Sequence, residues 1–196
     1  DDSVRQRLLS WYRSAHRKLP WRETHDPYRI LVSEVMLQQT QVERVIPKYH
    51  EFLLLFPDIA ALADAPPSEV IRAWAGLGYN RRALGLHRTA RAVMELYDGT
   101  LPESVDELKK LPGIGAYTAG AIACFAYTQD VGFVDTNIRR VLHRVIAGPE
   151  VPEPQMTPRM LEQAAQEVVP AGDGYMWNQA LMELGATICR ARTVRC

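Results

Sequence analysis

The chain has 196 residues, of which 47% are hydrophobic, enough to bury a core in one large domain or two small lobes. Its 23 basic and 23 acidic residues give a formal net charge of +0, so net charge alone does not indicate a nucleic-acid partner. No apolar run approaches the roughly 20 residues that span a bilayer, and the N-terminus lacks the pattern of a secretion signal. We therefore expect a cytoplasmic protein without a membrane partner, and, because Asp1 is not Met, an excerpt of a longer chain.

Helical periodicity runs along nearly the whole sequence, and no segment shows the sustained alternation of a half-buried strand. We therefore predict an all-α fold. Caps and prolines mark the expected helix starts in chain order: Asp26 with Pro27, Ser68 after two prolines, Ser104 with Glu107 as a capping box, and Thr157 with Pro158. The Pro-rich residues 148–158 are expected to form a surface connection.

The stretch Leu111–Gly115, "LPGIG", separates two predicted helices and indicates a helix-hairpin-helix motif. Gly113 and Gly115 tolerate positive φ and allow another backbone to come close. The helix that starts near Ala116 would present unpaired N–H groups and the positive end of its dipole to an anion such as a phosphate. A helix corner without any ligand is the alternative interpretation, since Gly-rich turns are common.

Two carboxyl groups have contrasting sequence neighbours. Glu34 lies among apolar residues in "ILVSEVMLQQT", where desolvation would raise its pKa and suit it to donate a proton; a salt-bridged helix residue is the alternative. Asp135 precedes a helix, where N-capping would lower its pKa and keep it ionised; a purely structural cap is the alternative. One acid and one base of this kind suit the cleavage of a glycosidic C–N bond.

Basic residues cluster in three segments, 80–91, 137–144 and the C-terminal "CRARTVRC". From the second segment we expect Arg139 to contact DNA, together with the hairpin residues Leu111, Gly113 and Gly115. Each cluster taken alone could equally be a solvated helix face.

The chain resembles the helix-hairpin-helix DNA glycosylases, and among them the adenine glycosylases of the MutY type. The resemblance rests on "LPWR", "SEVMLQQTQVERVIP", "WAGLGYNRRALGLH", "LPGIGAYTAGAI", "VDTNIRRVL" and "WNQALMELGATIC", and so covers nearly the whole chain. It implies a six-helix barrel lobe at 27–132 and a second lobe from 1–26 and 133–196, with DNA over the cleft between them. The implied partner is double-stranded DNA with a mismatched or damaged base, bound by a monomer associated with a bacterial nucleoid.

The resemblance also implies residue roles. Glu34 would protonate N7 of a flipped adenine that was paired with 8-oxoguanine or G, and Asp135 would stabilise the cationic sugar. The remaining implied site residues are Tyr117 and Asn137 in the catalytic group, Gln39 and Tyr79 entering the DNA stack, and Trp21, Arg22 and Gln179 lining the base pocket.

Tyr117 also bears on strand cleavage. Relatives that cut the strand, such as endonuclease III, carry a lysine at this place as an amine nucleophile. Tyrosine cannot form a Schiff base, so the resemblance implies a monofunctional glycosylase.

Two departures from the adenine enzymes keep other interpretations open. Asn80 stands where they usually repeat tyrosine, and Thr136 stands where many have glycine. Thymine-mismatch glycosylases can carry such an asparagine but typically lack the glutamate of "EVMLQQT", which favours adenine. The alternatives are a thymine or uracil mismatch glycosylase, an endonuclease III-like enzyme, or a non-catalytic DNA-binding module that would not need both Glu34 and Asp135.

The cysteines suggest a cofactor. The count of three argues against a disulfide framework, and Cys124 lies in an apolar helix where packing explains it. Cys189 and Cys196 have six residues between them, as in the first half of the family's C-x6-C-x2-C-x5-C site for a 4Fe-4S cluster. Because a cluster needs four thiolates, it is expected only in a full-length protein whose second lobe continues beyond this sequence; zinc or an inert pair is the alternative.

Overall fold

A computed structural model describes residues 2–148 and 156–192 of the chain. Within these residues the structure contains helices and no β-strand, so the predicted all-α fold is confirmed. The helices are α1 (Asp2–Ala15), α2 (Pro27–Leu37), α3 (Val42–Leu55), α4 (Ile59–Asp64), α5 (Pro67–Ala73), α6 (Arg81–Tyr97), α7 (Val105–Leu108), α8 (Ala116–Phe125), α9 (Thr136–Ile146), α10 (Pro158–Glu167) and α11 (Gly174–Thr187), with a 3-10 turn at Pro20–Arg22. None of the helices in the described ranges is both long and apolar enough to cross a membrane.

The chain divides into two compact units. We call Leu19–Tyr127 the hairpin unit, and Asp1–Lys18 with Thr128–Cys196 the terminal unit. The boundaries suggested by the sequence, at 26/27 and 132/133, remain a prediction.

Helix α2 is the central element of the hairpin unit and packs against α3, α6 and α8. It begins as the sequence predicts: the Asp26 carboxylate accepts hydrogen bonds from the N–H groups of Tyr28 and Arg29 at 2.9 and 3.2 Å, and Pro27 occupies the first helical position. Eight of its eleven residues are buried, including one carboxylic acid, which means that the helix has almost no solvated face on which a polar group could be placed.

Two of the other predicted helix starts differ from the structure. Helix α5 begins at Pro67 and is preceded by Pro66, so Ser68 is inside the helix and does not cap it. Ser104 does precede α7, but its side chain makes no cap hydrogen bond there, and Glu107 instead pairs with Tyr97 and Lys110. The expected capping box is therefore wrong because Glu107 has stronger partners than the backbone N–H of Ser104. At α10 the cap is confirmed, since Thr157 accepts a bond from the N–H of Met160 at 3.3 Å.

Helix α11 is the central element of the terminal unit and packs against α1 and α9. Gly185 allows the close approach of α9, because a Cβ atom there would lie 2.5 Å from Cβ of Asn137. On the side of α1, the fully buried Glu183 accepts hydrogen bonds from Nε and Nη2 of Arg17 at 2.8 and 3.1 Å. This bidentate pair satisfies a buried charge that would otherwise oppose folding.

Replacing Arg17 with methionine should lower the free energy of unfolding by about 2–4 kcal/mol, because Glu183 stays buried without its guanidinium partner. The double variant Arg17→Met/Glu183→Leu should regain most of this loss. Urea denaturation measures both. Arg13→Met, at an exposed arginine on α1, is the control and should change stability by about 0.5 kcal/mol or less. Equal losses for Arg13→Met and Arg17→Met would show that the pair is not stabilising.

Candidate active site

Glu34 lies on α2 with 3% of its surface exposed. Its neighbours along the helix, Leu31 and Val35, are also buried, so the carboxyl group has been taken out of water. The hydroxyl of Tyr117 donates a hydrogen bond of 2.5 Å to Oε2 of Glu34. Because Tyr117 lies in the first turn of α8, this bond connects the buried acid directly to the helix that follows the hairpin.

The hairpin itself has the geometry that its sequence requires. Gly113 has φ of 87° and faces the backbone of Gly85 on α6, where an added Cβ would lie 3.5 Å from Cα of Gly85. Thr89 secures the same place, since its hydroxyl contacts the carbonyl oxygens of Gly85 and Pro112 at 3.0 and 2.5 Å. The turn is thus fixed to α6 by backbone packing as well as by hydrogen bonds.

One side of the hairpin is buried and the other is exposed. Leu111 and Ile114 are in the core, whereas Gly113 and Gly115 lie at the surface. Gly115 precedes α8 and brings no side chain that could cap the helix. The N-terminal amides of α8 therefore lie beside an exposed glycine turn, an arrangement suited to binding an anion.

Asp135 caps α9 in the terminal unit. Its Oδ1 accepts a hydrogen bond of 2.6 Å from the N–H of Ile138, and its Oδ2 accepts one of 2.9 Å from Nδ2 of Asn137. Burial nevertheless raises the pKa of Asp135 above its ordinary value of 3.8, although these hydrogen bonds and the nearby Arg140 act in the opposite direction. The sequence expectation of a lowered pKa is therefore wrong: the cap exists, but desolvation of the carboxyl group outweighs it.

A chain of hydrogen bonds leads from Asp135 to Cys189. Oδ1 of Asn137 accepts from Nη2 of Arg140 at 2.9 Å, and Nε of Arg140 donates to the carbonyl oxygen of Cys189 at 2.6 Å. Nη1 of Arg144 lies 3.3 Å from the Cys189 sulfur, which is buried. From the sequence, Arg140 is only one member of a basic cluster, and the signal for its role is its spacing of three residues from Asn137 on one helix face.

The remaining predicted residues are placed as follows. Trp21 is buried in the 3-10 turn with its ring edge-on to Tyr49, at a centroid distance of 5.6 Å, and Arg22 beside it is half-buried. Gln179 is buried on α11, and Arg139 is exposed on α9. Gln39 and Tyr79 are both exposed and both have positive φ, 57° and 49°. Cys196 lies outside the described residues, and in the described ranges no three metal-ligating side chains form a group.

The sequence of the chain matches a known protein family over the region that contains most of the candidate site residues. The family model for the HhH-GPD superfamily of base excision DNA repair proteins matches residues 32–171. The chain belongs to this superfamily. The match includes Glu34, the hairpin and Asp135, which are the features that the geometry singles out.

Individual relatives carry more specific names. The chain is 48% identical over 190 residues to an adenine DNA glycosylase of Mycolicibacterium smegmatis, covering 96% of the chain and 64% of that protein. It is 43% identical over 203 residues to the adenine DNA glycosylase of Homo sapiens, covering 99% of the chain and 37% of that protein. The chain therefore spans less than two thirds of these curated relatives.

Solved structures show the same fold. A thermostable thymine-DNA glycosylase superimposes with a TM-score of 0.91 at 31% identity, covering 100% of this chain and 90% of the other. A trapped covalent intermediate of endonuclease III with DNA superimposes with a TM-score of 0.85 at 20% identity over the same shares of the two chains.

Replacing Asn137 with alanine should raise the pKa of Asp135 further, because the lost amide donor stabilises the ionised carboxylate. Since folding already raises this pKa, the contribution of Asp135 to stability is present below 3.8 and is lost as the pH rises through the folded-state value. The variant should move that loss to higher pH. Carboxyl-carbon NMR titration measures the pKa, with the resonance assigned through Asp135→Asn.

The control is Gln166→Ala, which removes an amide that hydrogen-bonds to the Asp130 carbonyl oxygen and the Gly132 N–H in the same unit. It should leave the Asp135 titration in place. An Asp135 pKa that falls in Asn137→Ala would mean that the amide destabilises the carboxylate.

Proposed function

We propose that the chain is the catalytic part of a monofunctional DNA glycosylase that hydrolyses the N-glycosidic bond of adenine mispaired with 8-oxoguanine or G. The observation that carries the proposal is the buried Glu34 carboxyl, which accepts a hydrogen bond from Tyr117 at the start of the hairpin's second helix. The identities of 38–48% to curated adenine DNA glycosylases support the choice of base.

Glu34 acts as the general acid. Adenine is a poor leaving group as an anion, so a proton on N7 is needed before the C1′–N9 bond can break with its electron pair moving to the base. Burial penalises the charged form of a carboxyl group, which suits Glu34 to meet the extruded base with its proton in place. The Tyr117 hydroxyl holds one carboxyl oxygen, so that the orientation of the acid is fixed before the base arrives.

Asp135 stabilises the positive charge that develops on the sugar as the base leaves. The N–H of Ile138 and the amide of Asn137 hold its carboxylate in one orientation. Water then adds to C1′ and passes its proton to the carboxylate. Because burial raises the pKa of Asp135, this group stays protonated to a higher pH than an ordinary aspartate, so excision should weaken as the pH falls through that raised pKa.

The exposed residues supply the DNA contacts in this proposal. The backbone N–H groups of the exposed residues Gly113 and Gly115 and the side chain of Arg139 bind phosphates. Gln39 and Tyr79 enter the base stack, and Leu111 supports the hairpin from the core. Trp21, Arg22 and Gln179 are assigned to contacts with the extruded base. The partner is double-stranded DNA with a mismatched or damaged base, bound by a monomer.

We also infer that Cys189 and Cys196 are two of the four thiolate ligands of a 4Fe-4S cluster. Three features around Cys189 support this: the sulfur is buried, a guanidinium N–H of Arg144 points at it, and Arg140 holds its carbonyl oxygen. The donor set fits such a cluster only in part, since two further thiolates are required. When bound, the cluster would connect the segment that contains Cys189 and Cys196 through metal–thiolate bonds. It would have a structural role, and no step of the excision would involve it.

A thymine-mismatch glycosylase is the second candidate. The specific observations in its favour are the TM-score of 0.91 to a thymine-DNA glycosylase at 31% identity and the presence of Asn80 after Tyr79. Adenine remains the proposal because the curated adenine enzymes are more similar to the chain and because thymine, a pyrimidine, has no N7 for Glu34 to protonate.

Replacing Glu34 with glutamine should lower single-turnover excision of adenine opposite 8-oxoguanine by about 100- to 10,000-fold while DNA affinity is retained, since the amide cannot donate the same proton. Glu43→Gln, an exposed acid on α3, is the matched control and should leave the rate unchanged. Duplexes with adenine opposite G and thymine opposite G are tested in parallel. Near-normal excision by Glu34→Gln would exclude it as the acid, and faster removal of thymine than of adenine would favour the second candidate.

The presence of Tyr117 predicts that excision leaves an intact abasic strand. A phenol cannot form the imine through which an amine nucleophile cleaves the sugar, so strand breaks should appear only after hot alkali. Borohydride added during the reaction should trap little protein on DNA. Efficient trapping at a lysine of the chain would contradict monofunctional chemistry.

A further inference from the structure

Arg82, in the first turn of α6, is a buried arginine whose guanidinium group contacts two separate turns of the hairpin unit. We call residues 38–41, after α2, the glutamine turn, and residues 75–80, before α6, the tyrosine turn. Nη1 of Arg82 donates to carbonyl oxygens at the end of α2 and in the glutamine turn, namely those of Val35 and Met36 at 3.0 Å each and that of Gln38. Nη2 donates to Thr40 Oγ1 at 3.0 Å and to the carbonyl oxygens of Leu77 and Gly78 at 3.0 and 3.2 Å.

The two terminal nitrogens of Arg82 have different acceptors, and together they connect the two turns. Nη1 satisfies carbonyl groups that the end of α2 leaves without an intrahelical partner. Nη2 has one acceptor in the glutamine turn, Thr40, and two in the tyrosine turn. A lysine ammonium is a single point donor on a flexible stem and cannot reproduce this planar fork.

Aromatic rings close the remaining space around the guanidinium group. Its carbon lies 5.5 Å from the ring centroid of Trp74 and 5.7 Å from that of Tyr79. The indole N–H of Trp74 also donates to the Gly78 carbonyl oxygen at 3.1 Å, so this oxygen is held from two directions. Arg82 is therefore held in one position itself while it holds the two turns.

In each turn one exposed residue has a backbone conformation that is costly for its residue type. Gln39 has φ of 57° and Tyr79 has φ of 49°, both in the left-handed region that non-glycine residues rarely occupy. Such conformations persist only where surrounding contacts over-determine them, and they cluster at sites that bind ligands. Residue Tyr79 is nevertheless 57% exposed, so the costly backbone conformation places an aromatic residue at the surface and not in the core.

We propose that Arg82 is a positioning residue that locks the glutamine turn and the tyrosine turn together, so that Gln39 and Tyr79 enter the DNA stack as one rigid unit. That Gln39 and Tyr79 enter DNA is part of the proposed function, on which this inference rests. The inference adds that Arg82 sets the spacing between them. Arg82 itself has no contact with DNA in this account. Its effect on DNA is carried entirely by the two turns.

The test uses Arg82→Lys, which keeps the charge and removes the fork. Duplexes carry 2′-fluoro-2′-deoxyadenosine opposite 8-oxoguanine, which resists excision, with 2-aminopurine next to it as a fluorescent reporter of unstacking. Arg82→Lys should lower the preference for this mispair over a matched duplex by about 10-fold or more, since charge-assisted hydrogen bonds to both turns are lost. It should also reduce the rise in 2-aminopurine fluorescence. Arg81→Lys, the same substitution at the exposed neighbouring position, is the control and should change neither.

A mutant cycle separates positioning from general stability. In the Gln39→Ala/Tyr79→Ala background, Arg82→Lys should change mispair preference by about twofold or less, because the residues it acts through are absent. Its effect on the melting temperature should be the same in both backgrounds. If Arg82→Lys reduces mispair preference equally in both, or leaves it unchanged in the unmodified background, the proposal is wrong.

A second variant covers the case in which Arg82→Lys does not fold. Thr40→Val keeps the shape of the side chain and removes the acceptor by which Nη2 holds the glutamine turn, and it should lower mispair preference by about 3- to 10-fold. No change in Thr40→Val would then overturn the proposal. Protein that prefers and unstacks the mispair but excises no base from a cleavable duplex would refute the proposed function and leave this inference standing. If the protein excises adenine but the effects of the substitutions in the mutant cycle are additive, the inference about Arg82 is refuted and the proposed function stands. A protein without any mispair preference would also refute the inference.

Discussion

The hydrogen bond between Tyr117 and Glu34 is the constraint on which the hairpin unit depends. A carboxyl group with 3% exposure has to be satisfied by protein, and the Tyr117 hydroxyl at 2.5 Å does this from the first turn of α8. The hairpin that starts α8 is in turn fixed to α6 through Gly113 and Thr89. The position of Glu34 and the position of the turn proposed to bind phosphate are therefore set by the same contacts.

The terminal unit follows the same principle with different groups. Buried or partly buried polar atoms are arranged in a continuous series from Asp135 through Asn137 and Arg140 to the main chain at Cys189. Gly185 makes this possible, because any larger residue would push α9 away from α11. In both units the groups proposed to do chemistry are oriented by neighbours whose own positions are fixed by packing, as precise catalysis requires.

Sequence reasoning could predict whatever depends on local pattern. Periodicity gave the helices, and the caps at Asp26 and Thr157 follow from side chains that reach the backbone two or three residues away. It could not predict competition between distant groups: Glu107 is taken by Tyr97 and Lys110, and burial overrides capping in the pKa of Asp135. The role of Arg82 cannot be predicted from its basic neighbours in segment 80–91, because its six oxygen acceptors come from residues up to 47 positions away.

The most direct test of the account is a crystal structure of the unmodified chain bound to a duplex with 2′-fluoro-2′-deoxyadenosine opposite 8-oxoguanine. We predict that this adenine is extruded and that its N7 lies within hydrogen-bond distance, about 2.6–3.2 Å, of a Glu34 carboxyl oxygen, while the Tyr117 hydroxyl still contacts the other carboxyl oxygen. An adenine that remains stacked in the duplex, or that is extruded away from Glu34, would contradict it.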